Sequence, residues 1–347
     1  MVVEPIKSQG TGIWVSVIVP IFNTEEFLCE TIESVLKQSL TNFELILVND
    51  GSTDGSAQIC KKYMSLDTRI KYFRQRNSGV SIARNLGLSY ASGKYVYFLD
   101  SDDTLDSEFL LSSYNISEQE GNDITILGEY LCNRPHSLTA LPTCAQFLRM
   151  DFLRIHPTVR FPEGLQPCED GLFSHRLLAL TNRVGKNPKA IYHYRNHENQ
   201  NHRIINKDCG KVLRQIPQWR YVLEDFYEEY NLQSKRAFHL AYFIEHEPFE
   251  LRYLGMALSN EEKILLHGIV RAWMNQIITE LSKQELKKLS KPFLYFVNAK
   301  NAADFDRFFL RYQYRRKVQK EMCLFLVRFI FLTKFRRRFR KSINERF

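Results

Sequence analysis

No GxGxxG turn, P-loop, zinc-ligand spacing or Ser/His/Asp arrangement occurs in this 347-residue chain. The best-marked routes to dinucleotide binding, P-loop phosphate chemistry, structural zinc and serine hydrolysis are therefore removed. Seven cysteines (Cys29, Cys60, Cys132, Cys144, Cys168, Cys209 and Cys323) are scattered without a CxxC pair. Their odd number and wide spacing argue against a disulfide framework and for a reducing compartment. The opening MVVEPIKSQGTGIW lacks an apolar stretch behind a basic start, so no secretion signal is expected and the location read from the sequence is cytoplasmic. Long hydrophobic runs are also missing. The nearest, Met322–Leu332, has 11 residues and is broken by Arg328, against the ~20 needed to cross a bilayer.

What is present is a globular composition, 44% hydrophobic and 25% charged, which excludes wholesale disorder. The net charge of +9 is concentrated at one end: residues 301–347 hold 14 Lys/Arg against 4 Asp/Glu. A nucleic-acid surface spreads its basic residues over a folded face, so no nucleic-acid partner is expected. Phe329, Leu332, Phe335, Phe339 and Ile343 recur at helical spacing beside Arg336, Arg337, Arg338, Arg340 and Lys341. A basic amphipathic helix over 318–347 that lies on an anionic membrane surface fits that pattern.

Upstream, WVSVIVP (14–20), FELILV (43–48), RIKYF (69–73), KYVYFL (94–99) and DITIL (123–127) read as short buried strands. Helical patterns over 25–38, 54–65, 79–90 and 106–118 separate them, with Asp54 and Asp106 as candidate N-caps. Such alternation predicts an α/β fold with a mostly parallel sheet flanked by helices. Ligands of such sheets bind beyond the carboxyl ends of the strands, which places PIFN, NDGSTD and DSDD on one rim. From about 130 the pattern becomes irregular and rich in proline. EDGLFSHRLLAL (169–180) predicts a helix opening on two carboxylates, AIYHYRNH (190–197) a short strand, and 211–320 a mainly helical region.

Asp100, Asp102 and Asp103 crowd into four positions. A cap or a solvated loop accounts for one or two of them, and Asp106 is already available as the cap. Carboxylates at i and i+2 on such a loop suit Mg²⁺ or Mn²⁺, which takes one or two protein carboxylates and completes its shell with phosphate oxygens and water. A nucleoside diphosphate would supply those oxygens.

VSVIVPIFNTEEFL, LILVNDGSTDGS, RNSGVSIARNLGL and GKYVYFLDSDD follow one another as they do in the family 2 glycosyltransferases. The sequence resembles the bacterial members that build lipopolysaccharide, capsule and other surface glycans. The resemblance covers about 14–130 and extends more loosely to about 203. It implies a glycosyltransferase A fold, with a catalytic domain over 14–210 (14–130 binding the nucleotide-sugar, 131–210 the acceptor), an N-terminal tail over 1–13 and a helical C-terminal region over 211–347.

By the same resemblance Pro20, Phe22, Asn23 and Glu25 line a uridine pocket, with Phe22 where the family has Tyr. Asp50 would contact the nucleobase, and Gly79, Arg84 and Asn85 would lie beside the donor. Asp100 would sit near the ribose and Asp102 would be the main metal ligand, with Asp100 and His202 completing the expected metal set. Asp103 would orient the loop or meet the acceptor. In CED (168–170) the resemblance makes Asp170 the general base of an inverting transfer, with Glu169 as the alternative. The segment YHYRNHENQNHR (192–203) offers His193, His197, His202 and Arg195 toward metal or diphosphate, although it carries Asn and His where the family has Ser or Thr.

The implied activity is metal-dependent transfer of a sugar from a nucleotide donor, UDP-linked, to a glycan or lipid-linked acceptor at the inner face of the bacterial cytoplasmic membrane. Two rival readings are a nucleotidyltransferase and a membrane-associated sugar-nucleotide-binding protein without turnover. The first would carry a Gly-rich basic loop after the first strand, and PIFNTEE is neither Gly-rich nor basic.

Overall fold

The computed structural model describes residues 12–134, 138–197, 208–329 and 333–346. Two compact units divide the chain, the first ending at His239 and the second starting at Leu240.

The first unit is built on β1 (Val15–Ile21), β2 (Phe43–Asn49), β3 (Ile70–Arg74) and β4 (Tyr95–Phe98), all parallel. Every residue of β1, β2 and β4 is buried. That is why their sequences are near-continuous Val, Ile, Leu and aromatic runs with no polar alternation. Helices α1 (Glu25–Leu36), α2 (Ser56–Leu66) and α3 (Val80–Tyr90) form the crossovers. Leu28, Ile32 and Val35 of α1 recur at i, i+4 and i+7 and are fully buried in the sheet's core. Each contributes roughly 1.5–3 kcal/mol by leaving water.

The strands and helices stand within a few residues of their expected positions. Asp54 and Asp106 act at helix starts as expected, but one or two residues ahead of the cap position. Asp54 Oδ1 accepts from Ser56 N at 3.0 Å and Asp106 Oδ1 accepts from Glu108 N at 3.3 Å.

After β4 come β5 (Thr104–Leu105), α4 (Phe109–Glu120), β6 (Ile124–Leu127) and the short α5 (Glu129–Cys132). The irregular stretch then supplies β7 (Gln146–Arg149), which the sequence pattern did not single out, followed by α6 (Met150–Arg154). β7 inserts between β4 and β6 and is antiparallel to both, giving the order β3-β2-β1-β4-β7-β6-β8, with β8 at Val184–Asn187. α7 (Glu169–Leu180) follows as expected, and Gly171 through Ala179 are buried. A second, two-stranded sheet pairs β5 with β9 (Tyr192–His193) antiparallel. This small sheet matters for the site, because it fastens the segment around 192–197 to the chain that leaves β4.

The expected break at 210 is not where the units divide. α8 (Cys209–Glu229) belongs to the first unit and packs on α7, burying Trp219, Leu223, Phe226 and Tyr227. The units meet within α9 (Ala237–Ile244).

In the second unit α9 runs on into a π-helical stretch, Glu245–Leu254, followed by α10 (Asn260–Ile277), α11 (Lys283–Leu286) and α12 (Lys291–Asn298). Its core is aromatic: Phe249, Phe296 and Phe305 lie 4.8–5.6 Å apart between ring centroids. It ends with α13 (Ala302–Val327) and α14 (Thr333–Arg346), two helices in contact with each other. Among the described residues no helix is long and apolar enough to cross a membrane.

Candidate active site

Because β2, β1 and β4 are adjacent and parallel, their carboxyl ends bring Asp50, Phe22–Asn23 and Asp100–Asp103 to one edge. Asn23 leaves β1 with φ of 52°, a left-handed conformation that Asn tolerates better than most residues. Its Oδ1 accepts from Thr53 N at 2.8 Å, and its own N–H donates to Ser52 Oγ. Glu25 accepts the N–H of Gly55, where a Cβ would lie 2.4 Å from that carboxylate oxygen. Asn23 and Glu25 therefore join the loops after β1 and β2 into one wall. Phe22 projects from it, 45% exposed, and Pro20 is buried in the strand behind.

Asp50 is buried and accepts three hydrogen bonds, from Gln75 Nε2 (2.7 Å), Ser78 N (2.8 Å) and Gly79 N (2.8 Å). Three donors on one carboxylate shape the turn that starts α3. Gly79 sits at that turn with φ of 94°, which favours glycine. Asn85, one turn further, binds the backbone of Phe161 twice: Nδ2 donates to Phe161 O (2.9 Å) and Oδ1 accepts from Phe161 N (3.0 Å). Its amide is turned to the 157–165 loop rather than to the rim.

Arg84 is the hub. It is 5% exposed and reaches two carboxylates from distant parts of the chain, Asp100 Oδ1 at 3.0 Å and Glu169 Oε1 at 3.4 Å. Phe161 lies beneath its guanidinium, 5.3 Å to the ring centroid. Burial disfavours the charge on Arg84, but Asp100, Glu169 and Asp170 outweigh it and raise its pKa. Burial raises Glu169 to about 7, helped by the Asp170 charge and opposed by Arg84. Asp170 Oδ1 accepts from Gly171 N at 2.7 Å. Just before them, Cys168 holds φ of 85°, an uncommon conformation away from glycine, at the point where the chain turns into α7.

Known proteins resemble this chain in sequence and in fold. Residues 16–165 fit the family model described as glycosyl transferase family 2. They form a family 2 glycosyltransferase domain. A minor teichoic acid biosynthesis protein of Bacillus subtilis strain 168, GgaB, is 34% identical over 206 residues, which is 52% of this chain and 23% of that protein. A second one from the same strain, GgaA, is 29% identical over 317 residues, 81% of this chain and 69% of that protein. The chain thus spans about a quarter of the first relative and about two thirds of the second. The crystal structure of S. aureus TarS 1–349 in complex with UDP-GlcNAc superposes with a TM-score of 0.63 at 22% identity, covering 84% of this chain and 89% of that one. This likeness shows the glycosyltransferase A-like fold.

Around this family 2 domain's DSDD loop, Asp103 is 1% exposed and its two oxygens accept from the Tyr192 hydroxyl and from Arg195 N (2.7 Å). Burial raises its pKa to about 6, against the pull of those two hydrogen bonds. Asp103 is thus the buried fastener between the loop and the strand β9 segment. Arg195 adds Nε to Asp102 O (2.9 Å) and lies over the Phe27 ring at 4.9 Å.

His197 stacks on the same ring at 4.7 Å, and its Nε2 lies 2.8 Å from Asp102 Oδ2. Its Nδ1 is buried with no hydrogen-bond partner among the described residues. Among those residues no group of three metal-ligating side chains forms. Asp102 and His197 make a pair, and a divalent cation bound with a diphosphate needs no more than one or two side chains. His202 lies outside the described residues.

Of the residues expected at the site, Asp100, Arg84, Glu169 and Asp170 form one connected cluster, and Asp102, two residues beyond Asp100, pairs with His197. Phe22, Asn23, Glu25, Asp50 and Gly79 form the neighbouring wall. Phe161 and Tyr192 escaped the sequence reading because one is a loop aromatic and the other a strand aromatic, and nothing local marks them.

Proposed function

We propose that the chain is an inverting glycosyltransferase that moves a sugar from a UDP-linked donor to a hydroxyl of a cell-surface glycan or its lipid-linked precursor. The observation that carries this is the Arg84 junction, where the donor-side carboxylate Asp100 and the α7 carboxylate Glu169 meet on one buried cation whose charge Asp170 also favours. The teichoic acid roles of the two B. subtilis relatives and the UDP-GlcNAc bound by TarS support the substrate classes.

Asp170 takes the proton from the acceptor hydroxyl. That oxygen attacks the anomeric carbon, and the bond from this carbon to the diphosphate oxygen breaks on the opposite face, releasing UDP. Glu169 is held by Arg84, which leaves the base role to Asp170. Phe22 and the Asn23–Glu25 wall would face the uridine, and Asp50 and Gly79 would fix the loop beside it. Asp102 and His197 would hold Mn²⁺ or Mg²⁺; when bound, the ion neutralises the charge developing on the departing diphosphate. The exposed apolar and basic C-terminal helices would keep the enzyme on the inner face of the membrane.

The test is UDP release with Mn²⁺, with Mg²⁺ and with chelator, in wild type, Asp170→Asn and Glu169→Gln. Asp170→Asn is expected to lose roughly 10²–10⁴-fold in turnover while still binding UDP. Full activity of Asp170→Asn would remove it as the base. Binding of UDP-sugars without turnover in wild type would favour a binding protein.

A further inference from the structure

A cavity of the first unit lies away from the carboxylate edge. It measures about 450 Å³ and lies between the 157–165 loop, α7 and α8. This falls within the ~300–1,000 Å³ range of small-molecule sites.

One face of α8 lines it, with Gln218, Tyr221 and Asp225 following one another at helical spacing and Glu229 a turn beyond. Tyr221 is 62% exposed, an aromatic ring beside a polar space. Opposite stand Arg160 and Arg176. Neither makes an ion pair among the described residues. Arg160 gives NH1 to Val159 O, and Arg176 gives Nε to Leu172 O and NH2 to Arg160 O. Burial lowers the pKa of both, Arg176 to about 10. Leaving two guanidinium groups without carboxylate partners, while Glu163, Asp225 and Glu229 share the same walls, costs stability that a packed apolar lining would not.

A compound rich in hydroxyl groups has use for such a lining, because it donates to the carboxylates, accepts from the arginines and rests its C–H faces on the rings. The near balance of charge disfavours a phosphate or another strongly charged ligand. The position is informative as well. Phe161 lines the cavity and also lies under Arg84. Arg176 follows Glu169 by seven residues on the same face of α7, about 10 Å along its axis. A short oligosaccharide bridges that distance.

We propose that this cavity is a subsite for a sugar unit of the acceptor glycan, one or more residues removed from the hydroxyl that reacts. The proposal rests on the glycosyltransferase reading above and identifies the acceptor as a saccharide chain rather than a single sugar. Saturation-transfer NMR on the full chain, with UDP present, tests it using methyl glycosides of glucose, galactose, N-acetylglucosamine and N-acetylgalactosamine and their disaccharides.

At least one disaccharide is expected to bind. Tyr221→Ala, a change at an exposed position that leaves folding intact, should weaken it tenfold or more, and Gln218→Leu severalfold, with UDP affinity unchanged. Absence of binding across the panel in wild type, or undiminished binding to both variants, overturns the subsite. If UDP itself fails to bind, the donor half of the functional reading falls instead, and the two failures are told apart.

Discussion

Arg84 shows how much one buried side chain can carry when its partners come from three parts of the chain. Its two carboxylates differ: Glu169 is largely enclosed, whereas the Asp100 side chain is 39% exposed and its share is screened by solvent. Arg84→Met would leave Glu169 buried without a counter-charge, so it should bind a proton at neutral pH, and stability should fall by roughly 3 kcal/mol. Urea denaturation checks the loss, and an unchanged midpoint would mean that the junction is not stabilising. Arg84→Lys should recover part of the stability but little activity, because an ammonium cannot bridge two carboxylates with the planar fork of a guanidinium. At this scale the carboxylates of the candidate site were legible, since Asp100, Asp102, Glu169 and Asp170 are marked by type and by place after strands or before a helix. Partnership was not. Three histidines share one polar segment, and the β5–β9 pairing, with His193 in β9, brings His197 to Asp102. Asn85 reads as a donor residue in sequence, yet its amide holds Phe161.

Among the elements, α7 and α8 are held together by a polar contact in an otherwise apolar interface. His175 of α7 donates Nδ1–H to Thr139 O (2.8 Å), so its Nε2 is the acceptor for the Tyr227 hydroxyl of α8 (3.1 Å). His239 stacks on it at 4.2 Å and donates to the His175 carbonyl. Both rings are held neutral. Burial and the neighbouring His239 push His175 well down, and burial pushes His239 down to about 4. With folded-state pKa values below the ~6.5 of a free histidine, the unfolded chain binds more protons as pH drops, so stability falls from about pH 6.5 toward pH 4. For His239 alone the loss is about 2 kcal/mol by pH ~5. Urea midpoints measured across that range should show it, and His239→Gln should flatten the slope; a slope unchanged in that variant would assign the effect elsewhere. The same contact explains why the break expected at 210 stands at 239: the composition changes at 210, but α8 buries its apolar face on α7. Strands β1 to β4 were legible because burial on both faces leaves unbroken Val/Ile/Leu runs. β7 was not, because four residues in a proline-rich stretch carry too little pattern and only its neighbours β4 and β6 make it a strand.

For the whole molecule, the distribution of charge and exposed apolar surface matters more than any single contact. Leu310, Tyr314, Val318 and Met322 follow one another four residues apart along α13, continue into Phe325, Leu326 and Phe329, and are exposed, as are Phe335 and Phe339 on α14. The sequence pattern marked only the end from 318; the exposure of Leu310 and Tyr314 lengthens the stripe by two turns. An uncovered stripe of this kind fits a second copy of the chain or a lipid surface, and charge decides between them. Residues 301–347 hold 14 Lys/Arg against 4 Asp/Glu, so two copies laid together would repel, whereas anionic headgroups attract at about 1 kcal/mol per basic residue near the surface. The full chain should therefore sediment with phosphatidylglycerol-containing vesicles and much less with phosphatidylcholine alone, and salt should release it. Replacing Arg336, Arg337 and Arg338 together by Gln should weaken binding by about 3 kcal/mol, roughly a hundredfold. Phe325→Ser with Phe329→Ser should weaken it in a salt-independent way, because that part of the attraction is burial of apolar area. Equal binding to both vesicle types would remove the electrostatic term, and a concentration-dependent dimer lost on Phe325→Ser would assign the stripe to self-association instead.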